Sequence, residues 1–576
     1  MPADYTLRLS PGEAARSEDV CLALQREYGA TAPRASLRII GRSIDARHQS
    51  VAVNLTVRVY APGEPLPALP YIPTTYLPLS ERAPQAIIVG AGPCGLFAAL
   101  RLIELGVRPI IVERGKAVHE RRKDVAAVSR KGHVDPDSNA CFGEGGAGAF
   151  SDGKLYTRSK KRGNVERILA ILCQHGASTD ILVDAHPHIG TDRLPAVVEA
   201  LRGTILRCGG QVLFSTRMES LLIHNAQVIG IHALSTAPGG EEIDLQGPVI
   251  LAIGHSARDT YRRLHEQGVL MQPKGLAVGV RLEHPAALID RIQYHRPQGK
   301  GSDLPTAEYS LVANIDGRGT YSFCMCPGGT VVPVATTPGQ VAVNGMSNAR
   351  RNSPWSNAGI VVEIRPEDLA QTPWRDYIGR CPTLTSFAFG DALPFSAKTS
   401  DCLTGNAPLN NFSYLIPHSS SPCADPFPLM RLQERLEHET WLAAGRTQAA
   451  PAQRMTDFVG RRISSSLPTT SYAPGLVSAP LHFLLPTPVS QRLATAFQRW
   501  GRQMHGFLTR EATLLAVESR TSSPVRIPRA SDTLCQIPGL YPAGEGAGYA
   551  GGIISAAIDG QRCAEALARA LLRGEG

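Results

Sequence analysis

The stretch AIIVGAGPCGLFAALRLIELGVRPIIVERG, Ala86 to Gly115, decides how the chain is read. An apolar run, Ala86 to Val89, enters Gly90-Ala91-Gly92-Pro93-Cys94-Gly95. An apolar segment of helical length follows, and a second apolar run, Pro109 to Val112, ends at Glu113. Each part has a physical job in a strand, turn, helix and strand that bind a dinucleotide. Gly90 permits the tight turn, Gly92 lets the backbone approach a pyrophosphate, and Gly95 allows helix and strand to pack closely. The helix N-terminus then offers free N–H groups to the phosphates. Glu113 lies 23 residues past Gly90, where a carboxylate accepts from both hydroxyls of an adenosine ribose. Pro93 and Arg114 flank these positions and belong to the same predicted site. Since FAD and NAD carry the same adenosine ribose, this unit alone leaves the choice of dinucleotide open.

Three further segments bear on that choice. CFGEGGAGAFSDGKL, Cys141 to Leu155, is a second glycine-rich turn. It reads either as a flexible loop or as backbone N–H groups of Gly145, Gly146 and Gly148 brought to a cofactor. From Gln227 the sequence reads as a hairpin with a Gly-Gly turn that returns into the apolar strand Val249 to Ile253, followed by Gly254. Near the end, GLYPAGEGAGYAGGI (Gly539 to Ile553) has six glycines in fifteen residues and one charge, Glu545. No second GxGxxG unit is found, so a separate nicotinamide-nucleotide domain is not expected.

The chain has 576 residues, 43% hydrophobic and 19% charged, enough for several domains of about 100 to 200 residues. The formal charge is +9. Its basic runs, HERRK (His119 to Lys123) and RSKKR (Arg158 to Arg162), read as solvated faces rather than a nucleic-acid surface. The apolar-looking stretch Ala86 to Val107 contains four glycines, Arg101 and Glu104, which makes it strand plus helix instead of a span of about 20 apolar residues. The N-terminus lacks the pattern of a secretory signal. Twelve cysteines without a disulfide-like framework fit a reducing compartment. A cytoplasmic location with no membrane anchor is the expectation.

Residues 1–60 read as a small α+β unit, with a helix over Ser17 to Tyr28 and a strand whose Val51, Val53, Leu55, Val57 and Val59 share one face. Seven prolines in 61–84 form a stiff linker. Residues 85–263 are read as the first part of the nucleotide-binding domain, 264–520 as an inserted cap, and 521–576 as its second part.

VGAGPCGLFAALRLIELG with ERG, then LAIGH, then GLYPAGEGAGYAGGIISAAIDG resemble the FAD-binding domain of two-dinucleotide-binding-domain flavoproteins. The resemblance implies a Rossmann-like α/β fold with an inserted α+β cap, and FAD as cofactor. It places Glu545, after Gly544, on the ribityl hydroxyls, and aims the helix starting at Gly551-Gly552-Ile553 at the flavin pyrimidine edge. SIDARH (Ser43 to His48), SNACFGEGGAGAFSDGKLYTR (Ser138 to Arg158), GVRLEHP (Gly279 to Pro285), SFCMCPGG (Ser322 to Gly329), NGMSNARR (Asn344 to Arg351) and VESRTSSPVRIPR (Val517 to Arg529) narrow it. They are similar to a bacterial and plastid family described as uncharacterised FAD-dependent dehydrogenases.

Such a protein is expected to move hydride between a small organic substrate, an acidic one among the candidates, and the flavin, with a protein electron donor or acceptor as a further partner class. The alternative is a flavin-binding regulatory or partner-binding protein in which FAD is structural or redox-sensing. Catalytic candidates are Cys324 and Cys326, whose thiols could exchange electrons, and Arg520 and Arg526, whose guanidinium forks hold carboxylates. His255 and His284 are candidates for acid–base work. The two thiols have no adjacent ligand partners, and no metal site is expected.

Overall fold

The computed structural model describes residues 2–29, 36–61, 63–156, 163–237, 239–372, 374, 377, 425–531 and 534–573; the RSKKR run lies outside them. Five short strands make one parallel sheet in the order Leu540–Pro542, Val249–Leu251, Gln85–Val89, Arg108–Val112, Gln211–Leu213. Their runs are apolar throughout because both faces are covered. On one face lie the helices Pro93–Glu104, Leu194–Arg207 and Ile553–Leu572. The last helix comes close to the first because Gly560 has no side chain: a Cβ there would lie 2.1 Å from the Cys94 carbonyl oxygen.

The other face carries an antiparallel meander, Thr216–His224, Gln227–Ser235 and Glu242–Gln246, and the helix Arg258–Glu266. The sequence reading placed only the second and third strands. The turn before them is Asn225-Ala226, both at positive φ (47° and 65°), a geometry whose usual sequence signal is Asn-Gly. Alanine in the second position hides it.

The cap is a seven-stranded sheet in the order Val312–Ile315, Arg318–Cys326, Trp355–Ile364, Leu276–Pro285, Thr513–Glu518, Ala450–Arg454, Leu476–Ser478. Its two faces follow from period-two alternation. Leu276, Val278, Val280 and Leu282, with Ala358, Ile360 and Val362, pack against the helix Thr487–Gln503 around Phe497 and Trp500. The alternate residues, among them Gly279, Arg281, Glu283, Asn357 and Gly359, take the opposite face and are nonetheless buried. Where the chain enters and leaves the cap, Gln272–Pro273 pairs antiparallel with Val525–Arg526.

In the N-terminal unit, Ala3–Leu9, Ala52–Val59 and Leu37–Asp45 form an antiparallel sheet with Ala52–Val59 in the middle. The helix Ser17–Tyr28 covers it through Val20, Ala23 and Leu24. The unit is held to the nucleotide domain by backbone bonds from Arg42 N to Val183 O and from Ala185 N to Arg42 O, both 2.9 Å. The proline-rich segment runs along the same domain, with Leu79 N donating to Cys208 O at 2.9 Å.

Gly560→Ala forces the final helix away from Pro93–Glu104. Overpacking of this kind costs about 1 to 3 kcal/mol, and a lowered denaturation midpoint of the FAD-loaded protein is the expected readout. An unchanged midpoint contradicts the close approach.

Candidate functional site

A single cavity of about 360 Å³ runs from the carboxyl ends of the parallel strands to the inner wall of the cap. Its nucleotide end is built from backbone. Gly90, at φ 107°, turns the chain where a Cβ would come within 2.4 Å of the Ala252 carbonyl oxygen. Gly92 caps the Pro93–Glu104 helix without a side-chain bond, which leaves first-turn N–H groups for an anion. Gly95 does not line the cavity; a Cβ there would lie 1.9 Å from the Gly90 carbonyl oxygen, so its role is packing.

Glu113 lines this end, yet its carboxylate is already bound. Oε2 accepts Ala91 N at 2.8 Å, and Oε1 accepts Gly115 N and Gly143 N, each at 2.9 Å. A carboxylate has about four acceptor sites. Three are occupied, which leaves room for one ribose hydroxyl rather than the pair expected from sequence. Arg114 is held by Asp137 and Asp259 and lies over Phe142, its guanidinium carbon 4.3 Å from the ring centroid.

The second glycine loop folds onto the first. Gly145 N donates to Ala91 O at 2.8 Å and Gly146 N to Gly143 O at 2.9 Å. Gly145 is therefore turned away from the cavity, contrary to the sequence reading, whereas Gly146 and Gly148 line it. Arg121 holds the loop from inside. Fully buried, it donates to the carbonyls of Asn139, Ala140, Gly143, Glu144 and Gly146, and burial pulls its pKa down to about 10. The HERRK run is thus not wholly a solvated face. Gly143 makes the space, since a Cβ on it would lie 2.4 Å from Arg121 Cδ. Glu144 accepts Val118 N and pairs with Arg202 in the same buried cluster.

At the far end Gly254, Glu545, Gly551, Gly552 and Ile553 line the cavity. Gly544 does not: its N–H donates to Asp559 Oδ2 at 2.7 Å and it shapes the turn. Among the described residues no donor reaches the Glu545 carboxylate, which burial pushes up to about 7 against the pull of the Lys274 ammonium. A half-buried acceptor facing a cavity without a donor fits the ribityl hydroxyls of FAD. The helix beginning at Ile553 has Gly552 as its cap and no side chain on its N–H groups.

The cap contributes Phe323, Cys324, Asn344, Arg520 and Thr521. Cys326 is fully buried behind Cys324. Arg520 has no free fork: Nε and Nη2 reach Glu437 at 3.1 and 2.8 Å, and Nη1 reaches Thr336 and Ser256. Arg258 shares that Glu437. Arg526 is exposed, lies over Tyr549 and does not line the cavity, so it leaves the set of substrate ligands. His284 leaves too, buried with Nε2 bonded to Phe507 O at 2.9 Å. His255 does line the cavity. Burial, with Arg520 and Arg258 nearby, lowers it to about 4, so it is neutral near pH 7. The sequence reading missed Lys154, which lines the cavity and whose Nζ donates to Met325 O. It also missed Asp152, which Ser347 and Arg351 hold. All four stand in the quoted strings SDGKL and NGMSNARR.

Residues 84–128 match the family described as FAD binding domain, 275–379 and 412–521 match that of FAD-dependent protein, C-terminal domain-like, and 1–60 match a domain of unknown function. An uncharacterised protein of Clostridium beijerinckii is 35% identical over 547 residues, covering 92% of this chain and 91% of its own. The chain belongs to this family of FAD-dependent proteins. A thiamine thiazole synthase of Aeropyrum pernix is 26% identical over 200 residues, 33% of this chain and 61% of that one. Among solved structures, a geranylgeranyl bacteriochlorophyll reductase-like protein from Thermoplasma acidophilum is 11% identical over 85% of this chain and 80% of that one, with a TM-score of 0.33. As in its family, the cofactor is FAD. No helix among the described residues is long and apolar enough to cross a membrane.

Two outcomes follow from Glu545. Glu545→Ala is expected to weaken FAD retention by about 1 to 3 kcal/mol, roughly 5- to 150-fold in Kd, read by flavin absorbance after dilution and filtration. Hydroxyl donors favour the ionised carboxyl, which without FAD is protonated below about pH 7. FAD binding then expels a proton, and affinity rises as pH is raised from about 5 to about 8. An affinity flat across that range would place the hydroxyls elsewhere.

Proposed function

We propose that the protein is an FAD-dependent oxidoreductase of the dehydrogenase or reductase type that moves hydride between a small organic substrate and flavin N5. The observation that carries this reading is the continuity of the cavity. The groove that fits the dinucleotide opens, without a partition, on polar and reactive side chains, Cys324 and Asn344 of the cap beside Phe323 and Lys154 of the second glycine loop. A site that only stored FAD would need no such wall. The flavin, when bound, supplies the two-electron chemistry.

What this chain supplies is orientation, exclusion of water and charge. Phe323 and the cap sheet behind it close the cavity on one side. Tyr156, half of it exposed, stands against His186 at the rim, with ring centroids 5.2 Å apart, and His186 is bonded to Glu308. A substrate carboxylate was assigned from sequence to Arg520 and Arg526. With the first saturated by Glu437 and the second outside the cavity, Lys154 is the better anchor. Its ammonium has three donors; one is on Met325 O, and the others are left for an anionic substrate. Asp152, on the same loop, is locked by Arg351 at 2.6 Å.

The test is an anaerobic stopped-flow screen of the holoprotein with NADH, NADPH and a panel of small carboxylic acids, alcohols and thiols. Bleaching by at least one organic donor is expected. A flavin that stays oxidised with every donor supports the regulatory reading instead. Lys154→Met is expected to lower kcat/KM for an acidic donor by roughly 10- to 150-fold, the loss of a charged hydrogen bond of about 1.5 to 3 kcal/mol, with FAD content unchanged.

A further inference from the structure

Behind the flavin end of the cavity the cap sheet buries a polar cluster that the dinucleotide does not use. Arg281, fully buried, donates from Nε to Asn357 Oδ1 at 2.8 Å, and from Nη1 to Asn344 Oδ1 and Glu518 Oε2, both at 3.2 Å. Its Nη2 reaches Cys324 O at 2.8 Å and Cys326 Sγ at 3.3 Å. Two strand glycines make room for it. A Cβ on Gly345 would lie 2.0 Å from Arg281 Nη2, and one on Gly359 3.1 Å from Glu518 Cγ. An apolar filling would serve stability as well as this buried pair, so what the cluster contributes is geometry at the Cys-Met-Cys corner.

That corner is irregular in a specific way. Two cysteines at i and i+2 of a regular strand point to one face. Here the register against Trp355–Ile364 shifts between Phe323 and Cys326, and Cys324 sits at φ 47°. Cys324 thereby lines the cavity while Cys326 stays buried beneath it, and Cys326 Sγ donates to Cys324 O at 3.4 Å. The charged groups that face them are the Lys154 ammonium and the Arg281 guanidinium on one side of the balance, and Asp152 and Glu518 on the other. Both carboxyls are tied to arginines, Asp152 to Arg351 and Glu518 to Arg281. The neighbouring Cys326 thiol, then Lys154 and Arg281, hold the Cys324 thiol well below its ordinary value. Such an environment marks a reactive cysteine.

We propose that Cys324 and Cys326 are a redox-active thiol pair that reduces organic disulfides entering through the flavin cavity. The Cys324 thiolate attacks one sulfur of RS–SR, the S–S bond breaks, and RS⁻ leaves from a mixed disulfide on Cys324. Cys326 then gives its proton to the departing thiolate and attacks Cys324 Sγ, with Arg281 stabilising its developing charge. The second RS⁻ leaves, the Cys324–Cys326 disulfide remains, and two protein thiols have been oxidised as one disulfide is reduced to two thiols. The proposal rests on the oxidoreductase reading of the cavity into which Cys324 opens, but it is read on the thiols themselves.

The experiment equilibrates the FAD-loaded full chain anaerobically with mixtures of 2-mercaptoethanol and hydroxyethyl disulfide, quenches with acid, alkylates, and weighs the peptide that carries both cysteines. It is expected to pass from doubly alkylated to an internal disulfide as the mixture becomes oxidising. Cys326→Ser should trap one mercaptoethanol on Cys324, and Cys324→Ser should leave Cys326 unlabelled, with flavin absorbance confirming that each variant folds. Iodoacetamide labelling of Cys324 should reach half its rate below the ordinary thiol pKa of about 8.5, and Lys154→Met should shift that midpoint upward. A peptide that stays dithiol throughout, or a labelling midpoint at the ordinary value, overturns the proposal. If organic donors bleach the flavin while the peptide stays dithiol, only the thiol pair fails. If the disulfide forms while no donor bleaches the flavin, only the oxidoreductase reading fails.

Discussion

At the carboxyl end of the parallel sheet, backbone meets backbone with no side chain between. A Cβ on Gly90 would lie 2.4 Å from the Ala252 carbonyl oxygen, and one on Gly546 2.6 Å from that of Gly254. Three strand ends separated by hundreds of residues are held in this contact by parallel pairing of Val249–Leu251 with Gln85–Val89 and Leu540–Pro542. Everything functional depends on that closure. The groove beyond the carboxyl ends of parallel strands is where a dinucleotide lies, and here its two halves come from opposite ends of the chain. Tyr261 reinforces the junction, its hydroxyl bonded to the carbonyls of Gly254 and Gly546 at 3.0 and 2.8 Å.

Since the last strand must return to the sheet, the 250 or so residues before it leave and re-enter at one place, and the paired Gln272–Pro273 and Val525–Arg526 mark the crossing. The cap therefore hangs over the groove from a narrow double connection. Its apolar sheet face is used up by the helix Thr487–Gln503. The face left to meet the groove carries Arg281, Glu283, Asn357 and Glu518, all buried. Burying charge is costly unless each group finds partners, and here each does: Glu283 accepts from Thr470 and Ser471, and Glu518 from Arg281. The result is a rigid polar wall, which a site that must hold a reacting group at fixed distance requires.

How much of this was legible follows from how local each signal is. Gly90, Gly92 and Gly95 and the helix after them are encoded close together, so the fold class could be read directly, whereas FAD came from the resemblance carried by the later segments. Glu545 was legible because it is the lone charge among glycines. The long basic side chains were not. Arg121 and Arg281 carry the same letters as solvated arginines, and what buries them is space left by Gly143 and Gly345, glycines that sequence gives no reason to connect with them. A regular strand would put both thiols of the Cys-x-Cys on one face, and a bulge that nothing in the local sequence announces separates them.

Arg520, for the same reason, reads as a ligand in sequence and as scaffold in space. Glu437 comes from the helix Pro428–Ala443, far away in sequence, and it accepts from both Arg258 of the nucleotide domain and Arg520 of the cap. One carboxylate between two guanidinium groups leaves a net positive charge beside the cavity, and it keeps Glu437 ionised, its carboxyl held far below the usual range. Removing the carboxylate would leave two buried cations facing each other, so the triad joins the domains more strongly than either pair alone. Burial, with the positive charge that remains beside it, holds neighbouring His255 neutral. A charge cluster that sequence assigns to substrate thus ties the cap to the nucleotide domain, and the polar side chains at the cavity wall are Asn344 and Cys324 of the cap with Lys154 of the second glycine loop.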